Sequence, residues 1–110
     1  MKHIYGIILL LFLVSTSSVA MTIPADSVDL MKAQADSAYA NEDFEGAERI
    51  YLQLAEQGES AVVCYNLGCT YYRQDNIAKA VLWFERASQL EPSDDDIRFN
   101  LAMARGKTID

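Results

Sequence analysis

Histidine is nearly absent from this sequence, and the single one, His3, lies close to its start. The remainder has no imidazole to act as a general base or metal ligand, which excludes Ser–His–Asp and Cys–His catalytic arrangements. No Gly-rich phosphate-binding loop is present either. The acidic run 94–96 is typical of a helix start, where the helix dipole favours carboxylates. We therefore expect a protein that is not an enzyme, with no cofactor and no metal site.

Cysteine is almost as scarce, and its two occurrences, Cys64 and Cys69, lie in one predicted helix. Five residues rise about 7.5 Å along a helix, whereas a disulfide usually needs Cα atoms within roughly 4.4–6.8 Å of each other. The pair also lacks the C-x-x-C spacing of redox and zinc motifs. We expect two small, partly buried side chains and no disulfide, with a redox role for Cys69 as a weaker hypothesis.

An apolar run opens the sequence. Lys2 and His3 precede the mostly apolar residues 4–14, and small, weakly polar residues fill 15–20. This order predicts a secretory signal peptide over 1–20, because the run is shorter than the roughly 20 residues of a transmembrane helix. The alternative is an uncleaved anchor that extends to residue 23. We therefore expect an exported protein, periplasmic or associated with the cell envelope.

Basic residues are few in the rest of the chain. Without Lys2, eight of the nine basic side chains remain against sixteen acidic ones, a net charge of −8. Such a chain is a poor ligand for nucleic acid or for an anionic membrane surface. We expect no nucleic-acid partner, and contact with a membrane only through an uncleaved leader or through a partner.

Apolar residues at helical spacing predict an all-α structure, and no alternating run predicts a strand. After a linker over 21–27, helices are expected over 28–40, 44–56, 61–73, 77–90 and 95 to about 105. Helix-starting caps are predicted at Asp26 or Ser27, Ser60 and Ser93, and helix-closing glycines at Gly58 and Gly106.

The helices form an internal repeat. The repeat aligns Ala35 with Gly68 and Ala102, at separations of 33 and 34 residues. In the following helices Ala47 then corresponds to Ala80, and Tyr51 corresponds to Phe84. Small residues at such positions let two helices approach, and the aromatic rings fill the space beside them. One helix pair cannot bury its apolar face alone, so the pairs are expected to stack.

This pattern resembles the tetratricopeptide repeat (TPR), a helix pair of 34 residues. The second unit fits best, in its residues Leu67, Gly68, Tyr71, Ala80, Phe84, Ala87 and Pro92. It departs at Cys64, where the family often has a large aromatic residue, and the first unit lacks the closing proline and has Gln34 at the position of Leu67. The resemblance implies a short right-handed solenoid with repeats over 28–60 and 61–94. Residues 95–110 would be a capping helix or the start of a third repeat.

A closer resemblance rests on the leader and on four phrases, namely 35–39 (ADSAY), 65–68 (YNLG), 75–80 (DNIAKA) and 96–101 (DIRFNL). These look like the N-terminal part of aerotolerance proteins of the BatE family. The resemblance implies an exported or membrane-associated TPR protein connected with oxygen tolerance. Relatives of that family typically continue into further domains and a membrane segment, whereas this sequence stops at Asp110.

The TPR resemblance implies a partner-binding surface on the concave side, formed by the first helix of each pair. Mapped by repeat position, this groove comprises Lys32, Asp36, Tyr39, Val62, Tyr65, Asn66, Cys69, Tyr72, Arg73, Phe99, Asn100 and Met103. Some TPR domains bind a C-terminal carboxylate through a Lys/Asn/Arg clamp, which Lys32 and Asn66 match in part. Asp36, Asp96 and Asn100 break that clamp, so no acidic C-terminal tail is expected to bind.

The sequence supports two hypotheses for function. The first is an adaptor that holds an extended or helical segment of a protein partner in the groove, with Tyr65 and Tyr72 either binding the partner or packing between repeats. The second is a structural element whose last helix docks onto another copy, which would make a homo-oligomer, or onto a downstream segment. In either case Ile97, Leu101 and neighbouring apolar residues would form the contact.

Overall fold

A computed structural model describes residues 24–109. Five helices occur in this part of the chain: α1 (Ala25–Ala40), α2 (Phe44–Gln57), α3 (Ala61–Arg73), α4 (Ile77–Leu90) and α5 (Asp95–Lys107). No strand occurs among the described residues. The predicted signal peptide lies outside them, and so do residues 21–23 of the predicted linker.

The first helix begins earlier than its sequence pattern predicts. α1 starts at Ala25, so Asp26 and Ser27 lie in its first turn and not at its cap, and the predicted linker is helical from residue 25 onward. The capping position is Pro24, which supplies no side-chain hydrogen bond. Proline has no backbone N–H, and none is needed at this position because the first N–H groups of a helix have no partner within the helix. The Pro24 carbonyl accepts hydrogen bonds from the backbone N–H groups of Ser27 and Val28.

The last helix begins at Asp95, as predicted, but its capping residue and its C-terminal end differ from prediction. Asp94 caps it, and not Ser93, with a carboxylate oxygen that accepts from the Ile97 amide at 3.1 Å. Gly106 does not close the helix, which continues through it to Lys107. A glycine ends a helix only where the chain turns away, and here the Thr108 hydroxyl donates back to the Arg105 carbonyl at 2.7 Å.

The second repeat has the helix bounds that the sequence predicts. α3 and α4 run over 61–73 and 77–90, and Ser60 caps α3 by accepting from the Val63 amide. Corresponding residues, Asp43 and Asn76, cap the second helix of each repeat. The residue just before each of them, Glu42 or Asp75, has a φ of 61°. The two repeats therefore turn in the same way.

Each helix packs on its neighbours in the chain, and α5 packs on α4 and less extensively on α3. Ala35, Ala47, Leu67, Ala80 and Phe84 are almost completely buried in the shared core. Gly68 permits a very close approach, because a methyl group there would lie within 2.8 Å of three atoms of the Phe84 ring. This confirms the predicted role of small residues between paired helices.

The fifth helix completes the core with its inner face. Ile97 and Leu101 are 3% and 7% exposed, so neither is available for the intermolecular contact predicted for them. That part of the self-association hypothesis is wrong, because both side chains already pack within the chain. Ala102, which corresponds to Gly68, is exposed, since no further helix among the described residues covers it.

Candidate functional site

A groove separates α1 from α3. A cavity of about 560 Å³ lies between them, and its walls come from both helices and from one residue of α2. The lining residues are Lys32, Asp36, Tyr39, Tyr51, Val62, Tyr65, Asn66 and Cys69.

The depression continues toward α5 through a second cavity of about 210 Å³. Tyr39 and Cys69 line both cavities, so the two form one continuous depression across the first helix of each unit. The second cavity is lined by Tyr39, Cys69, Tyr72, Arg73, Phe84, Asn100 and Met103. These two cavities together are called the groove.

The structure thus brings together every predicted groove residue except Phe99. Phe99 lines neither cavity, and it is 69% exposed. Its position on the third unit is the one that the repeat alignment assigns to the groove, but α5 turns it away from both cavities. Whether the assembled residues bind a partner stays a prediction.

A charged network lies on the α1 side of the groove. Lys32 donates to one oxygen of Asp36 at 2.9 Å, and the Tyr51 hydroxyl donates to the other. Burial raises the pKa of Asp36, but the hydrogen bonds from Tyr51 and Lys32 outweigh it and hold that pKa below its usual value. Burial, followed by the bond to Asp36, raises the pKa of Tyr51. This side of the groove is therefore polar and internally neutralised.

The central helix α3 supplies the middle of the groove. The Tyr65 ring lies 5.8 Å from the Phe84 ring, and its hydroxyl accepts from the Asn100 side chain at 3.1 Å. Burial is the main cause that raises the pKa of Tyr65 to about 12. Tyr65 therefore packs between repeats and lines the groove at once.

Asn66 is a groove residue whose side chain is unpaired within the described part of the chain. Its side-chain amide makes no hydrogen bond to any of residues 24–109, although its backbone carbonyl accepts from Thr70. A side-chain amide offers donors and an acceptor in one plane. It can therefore pair with the N–H and C=O of a bound peptide backbone.

Two cationic residues, Arg73 and Lys107, lie at the C-terminal ends of α3 and α5, beside the second cavity of the groove. Arg73 lies 4.9 Å from the Phe44 ring centroid and 3.4 Å from a carboxylate oxygen of Glu42, so it joins α3 to the first repeat. The Lys107 ammonium lies 4.7 Å from the centroid of the Tyr72 ring and makes no ion pair with the described residues. Arg73 is thus partly committed to packing, whereas Lys107 is free of anionic partners in this part of the chain.

Both cysteines are free thiols in the structure. Burial raises the pKa of Cys69 and also that of Cys64. A raised pKa keeps a thiol protonated near neutral pH, and only the thiolate is a good nucleophile. The geometry therefore gives no support to the weaker hypothesis of a redox role for Cys69.

Sequence reasoning missed two residues of the groove floor. Tyr51 and Phe84 belong to the second helices and were assigned to the core stripe, where each is at most 2% exposed. Both nevertheless line the groove, and Gly68 leaves room beside the Phe84 ring. The aligned pairs of a small residue and an aromatic ring were the available signal.

Other kinds of site are not seen between residues 24 and 109. No group of three or more His, Cys, Asp or Glu side chains there could hold a metal ion. None of the helices in the same range is long and apolar enough to cross a membrane.

Comparison with known proteins supports the repeat. Residues 61–94 match the family model described as tetratricopeptide repeat. The chain is also 32% identical over 75 residues, 67% of its length, to intraflagellar transport protein 70A of Xenopus laevis. It spans 11% of that relative. The described residues form an all-α TPR solenoid with a fifth helix, a fold that in general mediates protein–protein interaction.

Proposed function

We propose that this chain is a non-catalytic protein-binding module that holds a segment of a partner protein in its groove. The observation that carries the proposal is the continuity of the groove across α1, α3 and α5. Its residues are mostly half-buried, whereas the fully buried core lies between the helices. Solvent-facing tyrosines are therefore available for contact with a partner.

The chemistry of the groove suits a peptide segment. Tyrosines supply large contact area with little loss of conformational freedom, and they are enriched among residues that dominate binding energy. The amide of Asn66 adds a directional contact for a peptide backbone. Lys32 is already paired with Asp36, so it is not a free cation for the terminal carboxylate of a partner.

Groove-dependent capture tests the proposal. Asn66→Arg places a long side chain in the middle of the groove, and Gln53→Arg makes the same charge change at an exposed position of α2 outside it. We expect the full chain and Gln53→Arg to capture the same proteins from an extract of the native source, and Asn66→Arg to lose them. Equal capture by both variants, with equal helical content by circular dichroism, would count against the groove.

A second candidate function is self-association through the outer face of α5. The observation in its favour is the exposure of Phe99, at 69%, outside the groove. Sedimentation equilibrium would separate the two functions. A strict monomer at high concentration removes this candidate, whereas a dimer that Phe99→Ser abolishes supports it.

We further propose an exported, cell-envelope setting for the module, in a complex connected with oxygen tolerance. The support is the order of basic, apolar and small residues over 1–20 and the resemblance to BatE-family proteins, both drawn from the sequence. Cell fractionation with mass spectrometry of the N-terminus tests the setting. An intact N-terminus in the cytosolic fraction would overturn it.

A further inference from the structure

A third cavity extends the groove at the N-terminal end of α3. It measures about 410 Å³ and shares Val62 and Tyr65 with the larger cavity of the groove. Its walls come from the start of α3, the α4–α5 connection and the first turn of α5. The lining residues are Ser60, Ala61, Val62, Tyr65, Glu91, Asp94, Asp96 and Ile97.

This third cavity is acidic. Glu91, Asp94 and Asp96 line it, no basic residue does, and none of the three makes an ion pair with residues 24–109. One oxygen of Asp94 accepts from the Ile97 amide, which leaves its other oxygen unused by the cap. The first turn of α3 carries no acidic residue of its own. A helix end contributes roughly half a positive charge, too little to offset three carboxylates.

The third cavity also has an apolar surface. Val62 is 53% exposed, and the Tyr65 ring and Ile97 lie beside it. The side chains of arginine and lysine combine a long apolar stem with a cationic head. Such a side chain would place its stem along Val62 and its charge among the carboxylates, with the Tyr65 ring within reach for a cation–π contact.

The charge along this surface changes sign from one end to the other. The acidic cavity lies at the N-terminal ends of α3 and α5. At the C-terminal ends Arg73 is paired with Glu42, and Lys107 has no anionic partner among residues 24–109. Between these ends the Lys32–Asp36 pair contributes no net charge. A segment that runs along α3 therefore meets carboxylates first, then tyrosines, and finally an ammonium group.

We propose that the groove binds a partner segment that places an arginine or lysine in the acidic cavity and apolar residues in the two cavities beside it. This inference rests on the proposed function and specifies the partner's chemistry. α3 spans roughly 20 Å at 1.5 Å per residue, which an extended segment covers with about six residues at 3.3 Å each. The basic residue accordingly lies at one end of such a segment.

Selection from a display library of random peptides about seven residues long tests the inference, since that length matches the groove. The baits are the full chain, Glu91→Lys with Asp96→Lys, and a control, Glu45→Lys with Glu56→Lys, whose two exposed positions on α2 lie outside the groove. Both double variants change the net charge equally. A further bait, Glu91→Gln with Asp96→Asn, removes the charge without adding a new one at the helix ends.

We expect the full chain and the control to select peptides with a basic residue at one end. For a selected peptide, fluorescence anisotropy should show a dissociation constant about tenfold or more higher with the acidic-end variants than with the control. Peptides that depend on the groove, by loss with Asn66→Arg, but carry no basic residue would overturn this inference and leave the proposed function standing. If no selected peptide is sensitive to Asn66→Arg, both are overturned.

Discussion

The first repeat places Tyr51 where the second places Phe84, and Asp36 where the second has Cys69. In the first repeat the tyrosine hydroxyl donates to the carboxylate across the helix pair. In the second, the phenylalanine ring and the thiol line the groove side by side, and a phenyl ring has no hydroxyl to donate. The same position of the fold thus carries a polar contact in one repeat and an apolar one in the other.

The two repeats show how packing can stay the same while a surface changes. In the second repeat the Phe84 ring lies against Gly68, and in both repeats the aromatic ring of the second helix is almost fully buried in the shared core. The ring edge also reaches the groove, where Tyr51 brings a hydroxyl and Phe84 does not. The two differences, Tyr51 for Phe84 and Asp36 for Cys69, therefore make one side of the groove polar while the aromatic ring stays buried in the core.

The largest effect on stability is expected at Gly68, where the two helices of the second repeat pack most closely. In Gly68→Ala the added methyl would lie within 2.8 Å of three atoms of the Phe84 ring, so that ring must shift. We expect a loss of about 1–3 kcal/mol in the free energy of unfolding, measured by urea denaturation.

A matched control for this substitution lies in α5. A methyl group at Gly106 would meet nothing within 4 Å, so Gly106→Ala should stabilise the chain by about 0.5–1 kcal/mol through helix propensity. Equal effects of the two substitutions would contradict the packing account.

The second largest effect concerns the Tyr51–Asp36 pair. Tyr51→Phe removes the hydroxyl, and Asp36→Cys removes its acceptor, so each should lower the free energy of unfolding by about 1 kcal/mol. The double variant gives the first repeat the pair found in the second and should cost about 1 kcal/mol less than the sum. Strict additivity in this double-mutant cycle would show that the hydrogen bond does not couple the helices.

A smaller effect is expected at the two turns. Glu42 and Asp75 both have a φ of 61°, a conformation that aspartate tolerates better than glutamate and glycine adopts without cost. Replacing either by glycine should raise the free energy of unfolding by up to about 1 kcal/mol, with the larger gain at Glu42. A larger gain at Asp75 in thermal denaturation would contradict this ranking.

The smallest effect concerns the stability of the fold at acidic pH. Because the pKa of Asp36 is lower in the fold than its usual 3.8, its ionised form stabilises the fold above that pH and this contribution is lost as the pH falls through the folded pKa. Lowering the pH from about 6 to about 3 should therefore reduce the melting temperature more for the full chain than for Asp36→Asn. The Asp36 side chain is 45% exposed, which keeps the difference small. Identical pH profiles would show that the carboxylate does not contribute.

The helix bounds were predictable where local signals agree. α3 and α4 have a side-chain cap at the start, a clear apolar stripe, and a turn or proline after the end, and their bounds were predicted correctly. The start of α1, the capping residue of α5 and the C-terminal end of α5 were not. Pro24 gives no side-chain cap, Asp94 competes with Ser93, and Gly106 is tolerated at an exposed position inside the helix. These ends have fewer neighbours to fix where the helix begins or stops.

The groove residues could be predicted where the position in the repeat determines the direction in which a side chain points. The α1 and α3 residues assigned by alignment line the cavities, because the helices packed against α1 and α3 fix how these helices are turned. Phe99 lies on α5, which has described neighbours on one side alone. Pairing of Arg73 with Glu42 and Phe44 depends on contacts across repeats, which a single repeat pattern does not reveal.

Binding of a partner segment in the groove is tested most directly by NMR chemical-shift mapping of the full chain with a captured partner segment or a selected peptide. We expect the shifted amides to cluster at Tyr39, Asn66, Cys69 and Tyr72, while those around Gln53 on α2 stay unchanged. Saturable binding with shifts confined to the outer faces of α2 and α4 would contradict binding in the groove.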